Sequence, residues 1–265
     1  MLYLSPGESA LDSSGSVIVA NNIRFTGDEV NNGGTLEAEN NIVIESDVIV
    51  LNGDVHAGNN IRIKAADSLT MQSINMLAEN IYLKSGGDIN IETFSKYNRH
   101  LFTDGVKWET LLGRLAALKA SNKLRIKSAG DINLAGANLT GRSVALKAGG
   151  SVDLGAVKSR DGIHVFDDGD LFEKDRVRYT VSSITSVVNT LISAEEDITA
   201  LGADIEAGGD IALFARGDVE LLAAMNSDYR YVHDESDRFY GSKTRILESY
   251  NENADVVTLK GGGNV

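Results

Sequence analysis

Three aspartates close together in the sequence are the chain's best candidates for carboxylate chemistry. Asp167, Asp168 and Asp170 lie within the segment DDGD, and converging carboxylates could cleave a glycosidic bond or bind a cation. The same residues are ordinary turn formers, because Asp and Gly accept the backbone angles of a tight hairpin. We interpret the segment as a hairpin turn and expect no catalytic residue, with polysaccharide cleavage as an alternative hypothesis.

The four histidines offer imidazole ligands but lack the spacing of a metal site. They are His56, His100, His164 and His233, and the sequence contains no HxH or HExxH pattern, no GxxxxGK[ST] loop and no GGxGxD calcium repeat. There is no cysteine, which excludes disulfides and cysteine-based zinc or iron–sulfur sites. We therefore predict neither a metal nor a cofactor.

One segment near the C-terminal end concentrates tyrosine and arginine, which are enriched among interface anchors. It supplies the candidate partner-binding residues Tyr229, Arg230, Tyr231, Arg238, Phe239, Tyr240 and Tyr250. Such residues also pack across strands on an exposed hairpin, so a purely structural role stays open. The formal charge of −13 argues against generic nucleic-acid binding, which relies on a basic surface.

The elements that must position these residues follow a repeat of about twenty residues. A first repeated segment of alternating apolar and polar residues, called here the first phrase, begins at Ile23, Ile42, Ile61 and Ile81, at steps of 19, 19 and 20 residues. A second recurs at steps of 20, at Ile49, Leu69 and Ile89. Apolar and polar residues alternate within each phrase, which indicates a strand with one buried face. A weaker third strand follows, as at Val55 and Ile205.

This pattern predicts an all-β fold, a right-handed parallel β-helix with three short strands per rung. Ile, Val and Leu of successive rungs should stack on one another to form the core. Asn22, Asn41, Asn60 and Asn80 recur before the first strand, where we expect an asparagine ladder in preference to a ligand-binding row. Asp88, Asp131, Asp197 and Asp218 precede second-phrase strands, where we expect turn residues.

The repeat is interrupted near 94–122, 156–190 and 224–256. Each interruption begins after a second-phrase strand and should end at the next first-phrase strand, so the three insertions should line up along one flank. The second and third predict hairpins. In the first, GVKWETLLGRLAALKA (105–120), helical spacing places five residues on one face and predicts a helix against the solenoid wall: Trp108, Leu111, Leu112, Leu115 and Leu118.

The order of strand, GG turn, strand, polar hairpin and strand resembles the haemagglutinin repeats of filamentous haemagglutinin-like exoproteins. These include the stick-like proteins of contact-dependent growth inhibition. The resemblance is carried by residues 191–224 followed by VTLKGGGNV (257–265), by residues 123–162, and by SGGDINIETFSKYN (85–98). It covers 80–265 well and 15–79 more loosely.

The resemblance implies a secreted protein on the outer cell surface of a Gram-negative bacterium, exported through an outer-membrane two-partner secretion transporter. Such exoproteins are virulence-associated adhesins, or they carry a C-terminal toxin to a neighbouring cell. Repeats with polar hairpins are associated with the region beyond the receptor-binding part, which is thought to help toxin delivery.

We therefore expect residues 1–265 to be a single β-helix segment of a longer protein, with a structural and presentation role and no enzymatic activity. The alternative is a module whose aligned insertions, 226–256 above all, bind a receptor, glycan or membrane component of a target cell. A carbohydrate-active β-helix enzyme is the third hypothesis.

Overall fold

The computed structural model describes residues 2–4, 11–12, 15–238 and 241–265, and the side chains of residues 15–235 and 243–265. No helix occurs in these ranges. The strands in chain order are β1 Leu2–Leu4, β2 Leu11–Asp12, β3 Val17–Asn32, β4 Thr35–Leu51, β5 Asp54–Ala57, β6 Asn60–Gln72, β7 Asn75–Ser85, β8 Ile89–Glu92, β9 Ser95–Phe102, β10 Gly105–Leu112, β11 Ala116–Ser128, β12 Ile132–Ala135, β13 Ala137–Gly141, β14 Ser143–Ala148, β15 Val152–Asp167, β16 Asp170–Val181, β17 Ser183–Ser186, β18 Thr190–Ala194, β19 Ile198–Leu201, β20 Asp204–Ala207, β21 Ile211–Ala215, β22 Val219–Leu222, β23 Ala224–Arg238, β24 Gly241–Asp255 and β25 Thr258–Gly261.

The solenoid forms because each rung pairs in parallel with the rungs before and after it. The first column of stacked residues is Ile23, Ile42, Ile61, Ile81, Leu124, Val144, Thr190 and Ile211. The second is Val30, Ile49, Leu69, Ile89, Ile132, Val152, Ile198 and Val219. The third is Ile18, Leu36, Val55, Met76, Leu118, Leu139, Ile184, Ile205 and Leu259. Most of these side chains are fully buried, so the predicted all-β, β-helix-like architecture with stacked aliphatic columns is confirmed.

One polar residue interrupts the first column. Thr190 is buried between Val144 and Ile211. Its hydroxyl donates a hydrogen bond to Ser186 Oγ over 2.9 Å. This bond satisfies the hydroxyl inside the core, where an unpaired polar group would cost about 1–3 kcal/mol.

The asparagine ladder is present. The Nδ2 group of each later asparagine donates to the Oδ1 atom of the earlier one, at 3.1 Å for Asn41 to Asn22, 2.8 Å for Asn60 to Asn41 and 3.2 Å for Asn80 to Asn60. Asn122 adds a further step of 3.0 Å to Asn80. Each amide therefore joins neighbouring rungs, and the structural interpretation of these residues is confirmed.

Removing the middle of this ladder should weaken the solenoid. Asn60→Ala loses one donated and one accepted hydrogen bond, so we expect a loss of about 1–3 kcal/mol in the free energy of unfolding, measured by urea denaturation. The matched control is Asn59→Ala, because Asn59 makes a single exposed bond of 3.4 Å to Asn40. Equal losses for the two variants would contradict a stabilising ladder.

The aspartates at the turns also connect rungs. The Oδ1 atom of Asp88 accepts from the backbone amide of Asp131, and that of Asp131 accepts from the amide of Ser151, both over 2.8 Å. Glycine must precede the amide donor, because a Cβ atom at Gly130 or Gly150 would lie 2.1 Å from the carboxylate oxygen below it. Asp197 binds the amide of Asp218 in the same way. The turn interpretation of these aspartates is confirmed.

The helix expected in the first insertion is absent. Residues 105–112 form strand β10, which pairs antiparallel with β9 over its whole length. The helical face does not exist, since Leu111 and Leu115 are exposed while Leu118 belongs to the third solenoid column. A helix here would leave β9 without a partner along its inner edge, so strand pairing overrides the local spacing.

All three insertions leave the solenoid at one corner. They follow β8, the solenoid part of β15 (152–155) and β22, and the chain rejoins the third column in β11, β17 and β25. The return is thus at the third strand, before the first-phrase strand that the spacing suggested. Stacked rungs are about 4.8 Å apart, so insertions from one corner emerge close enough to pair.

Candidate binding surface

The three insertions pair with one another to form a single antiparallel sheet, called here the hairpin sheet. It contains β9, β10, the outer part of β15 (156–167), β16, β23 and β24, in that order. The β10–β15 and β16–β23 pairings connect different insertions. Three separate excursions of the chain thus create one continuous surface.

Among the residues that the structure describes, none covers either face of the hairpin sheet. Strand β16 lies in the middle of the sheet, yet none of its residues is buried. In a sheet packed against a core, every second residue of a central strand would be buried. Both faces are therefore open to a partner, and we name them the aromatic face, which carries Trp108 and Tyr229, and the basic face, which carries Lys174 and Arg230.

Trp108 connects the first two insertions on the aromatic face. Its side chain is 9% exposed, and its Nε1–H donates to Asp175 Oδ1 over 3.1 Å. The indole covers Gly162, where a Cβ atom would lie 2.7 Å from the ring atom Cε2. The Arg160 guanidinium lies 5.3 Å from the ring centroid, within the range of a cation–π contact.

Asp175 is the electrostatic centre of this connection. Arg160 binds its carboxylate in a bidentate manner, with Nε–Oδ1 and Nη2–Oδ2 distances of 2.8 Å. Partial burial acts to raise the pKa of Asp175, but the hydrogen bonds from Arg160 and Trp108 outweigh it and lower that pKa below its usual value. The carboxylate is therefore held ionised in the folded sheet.

A second acidic group connects the second and third insertions on the basic face. The Asp228 carboxylate receives Arg176 Nε at 3.0 Å and also binds Arg178. The Arg178 hydrogen bond is the main reason that the pKa of Asp228 lies below its usual value. Nearer the solenoid, Asn226 accepts from the backbone amide of Tyr179 over 2.8 Å and donates to Asp255 over 2.7 Å. Side chains thus reinforce both connections between insertions.

Acidification should loosen the hairpin sheet. A carboxyl whose pKa is lowered on folding adds stability above its unfolded pKa, which is 3.8 for Asp175 and Asp228, and this contribution disappears as the pH falls through the folded value. We expect urea unfolding of the sheet, followed by Trp108 fluorescence, to need less urea at pH 3 than at pH 6. Asp175→Asn should reduce this pH dependence, and an unchanged dependence would contradict the assignment.

The pKa of one carboxyl group in the solenoid is shifted in the opposite direction. Burial raises the pKa of Asp153 above its usual value, so ionisation of Asp153 on raising the pH through 3.8 opposes folding. Because Trp108 lies in the hairpin sheet and is the chain's one tryptophan, its fluorescence separates the response of the sheet from this effect.

The predicted partner-binding residues are divided between the two faces. Tyr229, Tyr231 and Tyr250 lie on the aromatic face, with Tyr229 directly opposite Tyr250. Arg230 lies on the basic face, 5.8 Å from the ring of Phe172. The backbone of Arg238 pairs with Gly241 at the tip, but its side chain lies outside the described side chains, and Phe239 and Tyr240 lie outside the described residues.

The pKa values of two of the tyrosines are raised in the folded sheet. The pKa of Tyr250 is raised above its usual value, chiefly by the bond that its hydroxyl donates to Glu252. The pKa of Tyr229 is also raised, by partial burial and the charge of Glu248. Both phenols therefore stay protonated near neutral pH, where the Tyr250 hydroxyl donates to Glu252.

The tip aspartates form the turn that their sequence indicates. Asp167 pairs with Asp170, and Asp168 and Gly169 take positive φ values of 42° and 93°, as a two-residue hairpin turn requires. His100 and His164 lie 3.7 and 4.0 Å from Glu109 and Glu173. No group of three potential ligands is arranged to hold a metal ion among the residues that the structure describes.

Sequence reasoning missed several residues of this surface. Helical spacing predicts Trp108 in a helix, whereas Val106, Trp108 and Thr110 alternate as a strand does. It also missed an apolar row that crosses the basic face: Phe102, Val165, Phe172, Val232 and Leu247. Period-two alternation within each hairpin was the available signal, but the row appears only when the hairpins are aligned.

Comparison with known proteins agrees with this architecture of repeats and hairpins. The hemagglutinin repeat family matches residues 112–160 and 173–246. These ranges contain solenoid rungs as well as hairpin strands β15, β16 and β23. Over these residues the chain resembles filamentous haemagglutinin-like proteins.

A curated relative is similar to a larger share of the chain. The tRNA nuclease CdiA of Escherichia coli (strain STEC_O31) is 29% identical over 201 residues. The match covers 74% of this chain and 6% of the relative, so the chain corresponds to a small part of that protein. No solved structure matches. Within the described residues, no helix meets the length and hydrophobicity needed to cross a membrane.

Proposed function

We propose that this chain is a structural and presentation segment of a secreted adhesin or contact-dependent inhibition exoprotein on the surface of a Gram-negative bacterium. The observation that carries the proposal is the combination of one continuous parallel stack with a hairpin sheet along one corner. Rung-to-rung pairing gives a stiff rod, since every interior strand has partners above and below. The family match and the likeness to CdiA support the exoprotein class.

The proposal includes the organisation of the chain. Residues 1–265 act as a single β-helix segment of a longer protein, and the solenoid winds in a right-handed sense. Parallel strand connections within one sheet are right-handed in about 98% of cases because strands twist to the right. The full-length protein leaves the cell through an outer-membrane two-partner secretion transporter. The segment itself carries out no enzymatic step.

A second function, as a binding module, is favoured by one specific observation. The aromatic face displays Tyr229, Tyr231 and Tyr250 on a sheet whose central strand β16 has no buried residue. Tyr and Trp present large rigid contact areas and are enriched among binding hot spots. In this alternative, a receptor, glycan or membrane component of a target cell binds there.

One deletion distinguishes the two functions in bacteria that make the full-length protein. Residues 227–252 are replaced by Asn-Gly, so that Asn226 and Asn253, which are paired across the strands, flank a two-residue turn. A presentation role predicts normal surface display and normal attachment to target cells. Loss of attachment with normal display would overturn it in favour of the binding module. The double variant Tyr229→Ala/Tyr250→Ala is the matched control that keeps the hairpin.

A further inference from the structure

We propose that the basic face of the hairpin sheet binds a second copy of this chain, so that two rods lie side by side. The inference goes beyond the presentation role, and it rests on the pattern of rows that cross-strand pairing creates on this face. Each row contains one residue from each strand, and successive rows on one face are two residues apart.

The central row is apolar. It consists of Phe102, Val165, Phe172, Val232 and Leu247, with Gly105 in the place of β10. The end members, Phe102 and Leu247, are 45% and 43% exposed. An apolar line across six strands on an uncovered face is a surface that water solvates poorly and that association would bury.

A basic row lies on the solenoid side of the apolar row. Its members are His100, Lys107, Ile163, Lys174, Arg230 and Ser249. Arg230 lies 5.8 Å from the ring of Phe172 in the apolar row, which places both side chains on one face. Lys107 and His100 lie 2.9 and 3.7 Å from Glu109 within the same copy, so Lys174 and Arg230 supply the positive charge that this row offers to a partner.

An acidic row lies on the tip side of the apolar row. Asp167 and Asp170 pair across the β15–β16 hairpin, and Asp234 precedes the tip of the β23–β24 hairpin, where it pairs with Arg245. Acidic and basic rows thus flank the apolar row at equal distances of about 7 Å.

This arrangement is complementary to itself. A two-fold axis parallel to the apolar row, placed between the two copies, brings their basic faces into contact. Each strand then lies opposite the same strand of the second copy. The basic row of one copy then faces the acidic row of the other, with Lys174 opposite Asp170 and Arg230 opposite Asp234. A two-fold interface makes each of these contacts twice.

The available area suits a stable dimer. Strands β9 and β10 turn at Phe102 and Gly105, in the apolar row itself, so the four strands of the other two hairpins form most of the overlap. Spaced about 4.8 Å apart and overlapping over about eight residues, they cover about 500 Å² on each copy. The total of about 1,000 Å² reaches the size that a specific protein–protein interface requires. A membrane surface fits less well, because Asp167, Asp168, Asp170, Asp234 and Glu235 at the tip would be repelled by anionic lipid headgroups.

The test uses two charge-reversed variants of the 265-residue chain. Variant one is Lys174→Glu/Arg230→Glu, and variant two is Asp170→Lys/Asp234→Lys. Analytical ultracentrifugation should show a concentration-dependent dimer for the wild type and a dissociation constant raised at least about tenfold for each variant alone. An equimolar mixture should form the dimer again, because every charge contact is then attractive. Trp108 fluorescence verifies that each variant keeps the hairpin sheet.

A matched control changes the opposite face. Glu173 and Tyr231 neighbour Lys174 and Arg230 in sequence but lie on the aromatic face, so Glu173→Lys/Tyr231→Lys should leave the dimer unchanged. A wild type that stays monomeric, a mixture that does not recover the dimer, or equal weakening by the control would overturn the proposal. Binding of the wild type to anionic phospholipid vesicles in preference to itself would identify a membrane as the occupant and would also overturn it.

Discussion

Ile132→Asp is expected to abolish cooperative folding of the solenoid. Ile132 is fully buried in the second column, directly between Ile89 and Val152. A carboxylate there has no cation or hydrogen-bond donor in the column, and burying such a group costs several kcal/mol. The expected loss of more than about 5 kcal/mol is comparable with the whole stability of a typical domain. Far-ultraviolet circular dichroism and urea denaturation of the purified chain measure it.

Two variants separate this effect from general sensitivity to substitution. Ile132→Val keeps the column apolar and should cost about 0.5–1.5 kcal/mol. Leu77→Asp introduces the same carboxylate on the outer wall, where Leu77 is 49% exposed, and should change the free energy of unfolding by no more than about 0.5 kcal/mol. If Ile132→Asp unfolds at the same urea concentration as the wild type, the column is open to water, which would contradict its role as the apolar core of the solenoid.

The solenoid could be predicted because its information is local and repeated. Ile42, Ile61 and Ile81 each begin the same alternation of apolar and polar residues, and a period of two fixes which face is buried. The steps of 19 and 20 residues then fix the register, since each rung must bring the same phrase back to the same wall. The asparagine and aspartate turns follow for the same reason.

The first insertion could not be predicted because its residues fit two periodicities. Trp108, Leu111 and Leu115 are spaced for a helix, whereas Val106, Trp108 and Thr110 alternate for a strand. The decision comes from β9 and β15, which offer unpaired edges on both sides of β10. Trp108 and its acceptor Asp175 are 67 residues apart, and no pattern within either segment indicates that they meet.

The make-up of the hairpin sheet could be predicted only in part, for a related reason. The tyrosine–arginine segment marked the third insertion, but alternation places Arg230 on the face opposite Tyr229 and Tyr231. The residues that accompany them come from the other two insertions. A surface assembled from three distant segments depends on the cross-strand register between hairpins, which composition alone does not determine.

Trp108→Ala should release the first insertion from the rest of the hairpin sheet. Only four residue pairs connect β10 to β15, so the contacts of the indole with Asp175, Gly162 and Arg160 hold much of this connection. Truncating a buried tryptophan costs about 3–5 kcal/mol. Hydrogen exchange followed by mass spectrometry should show lost protection in β9 and β10, while the solenoid strands keep theirs.

A conservative substitution of Trp108 provides a graded control for this prediction. Trp108→Phe keeps an aromatic ring over Gly162 but removes the donor to Asp175, so it should cost about 1 kcal/mol and preserve most of the protection in β9 and β10. Such grading would show that packing, more than the hydrogen bond, connects the insertions. If Trp108→Ala also lowers protection throughout the solenoid rungs, the hairpin sheet and the rod form one cooperative unit. In that case the sheet stabilises the rod in addition to being displayed by it.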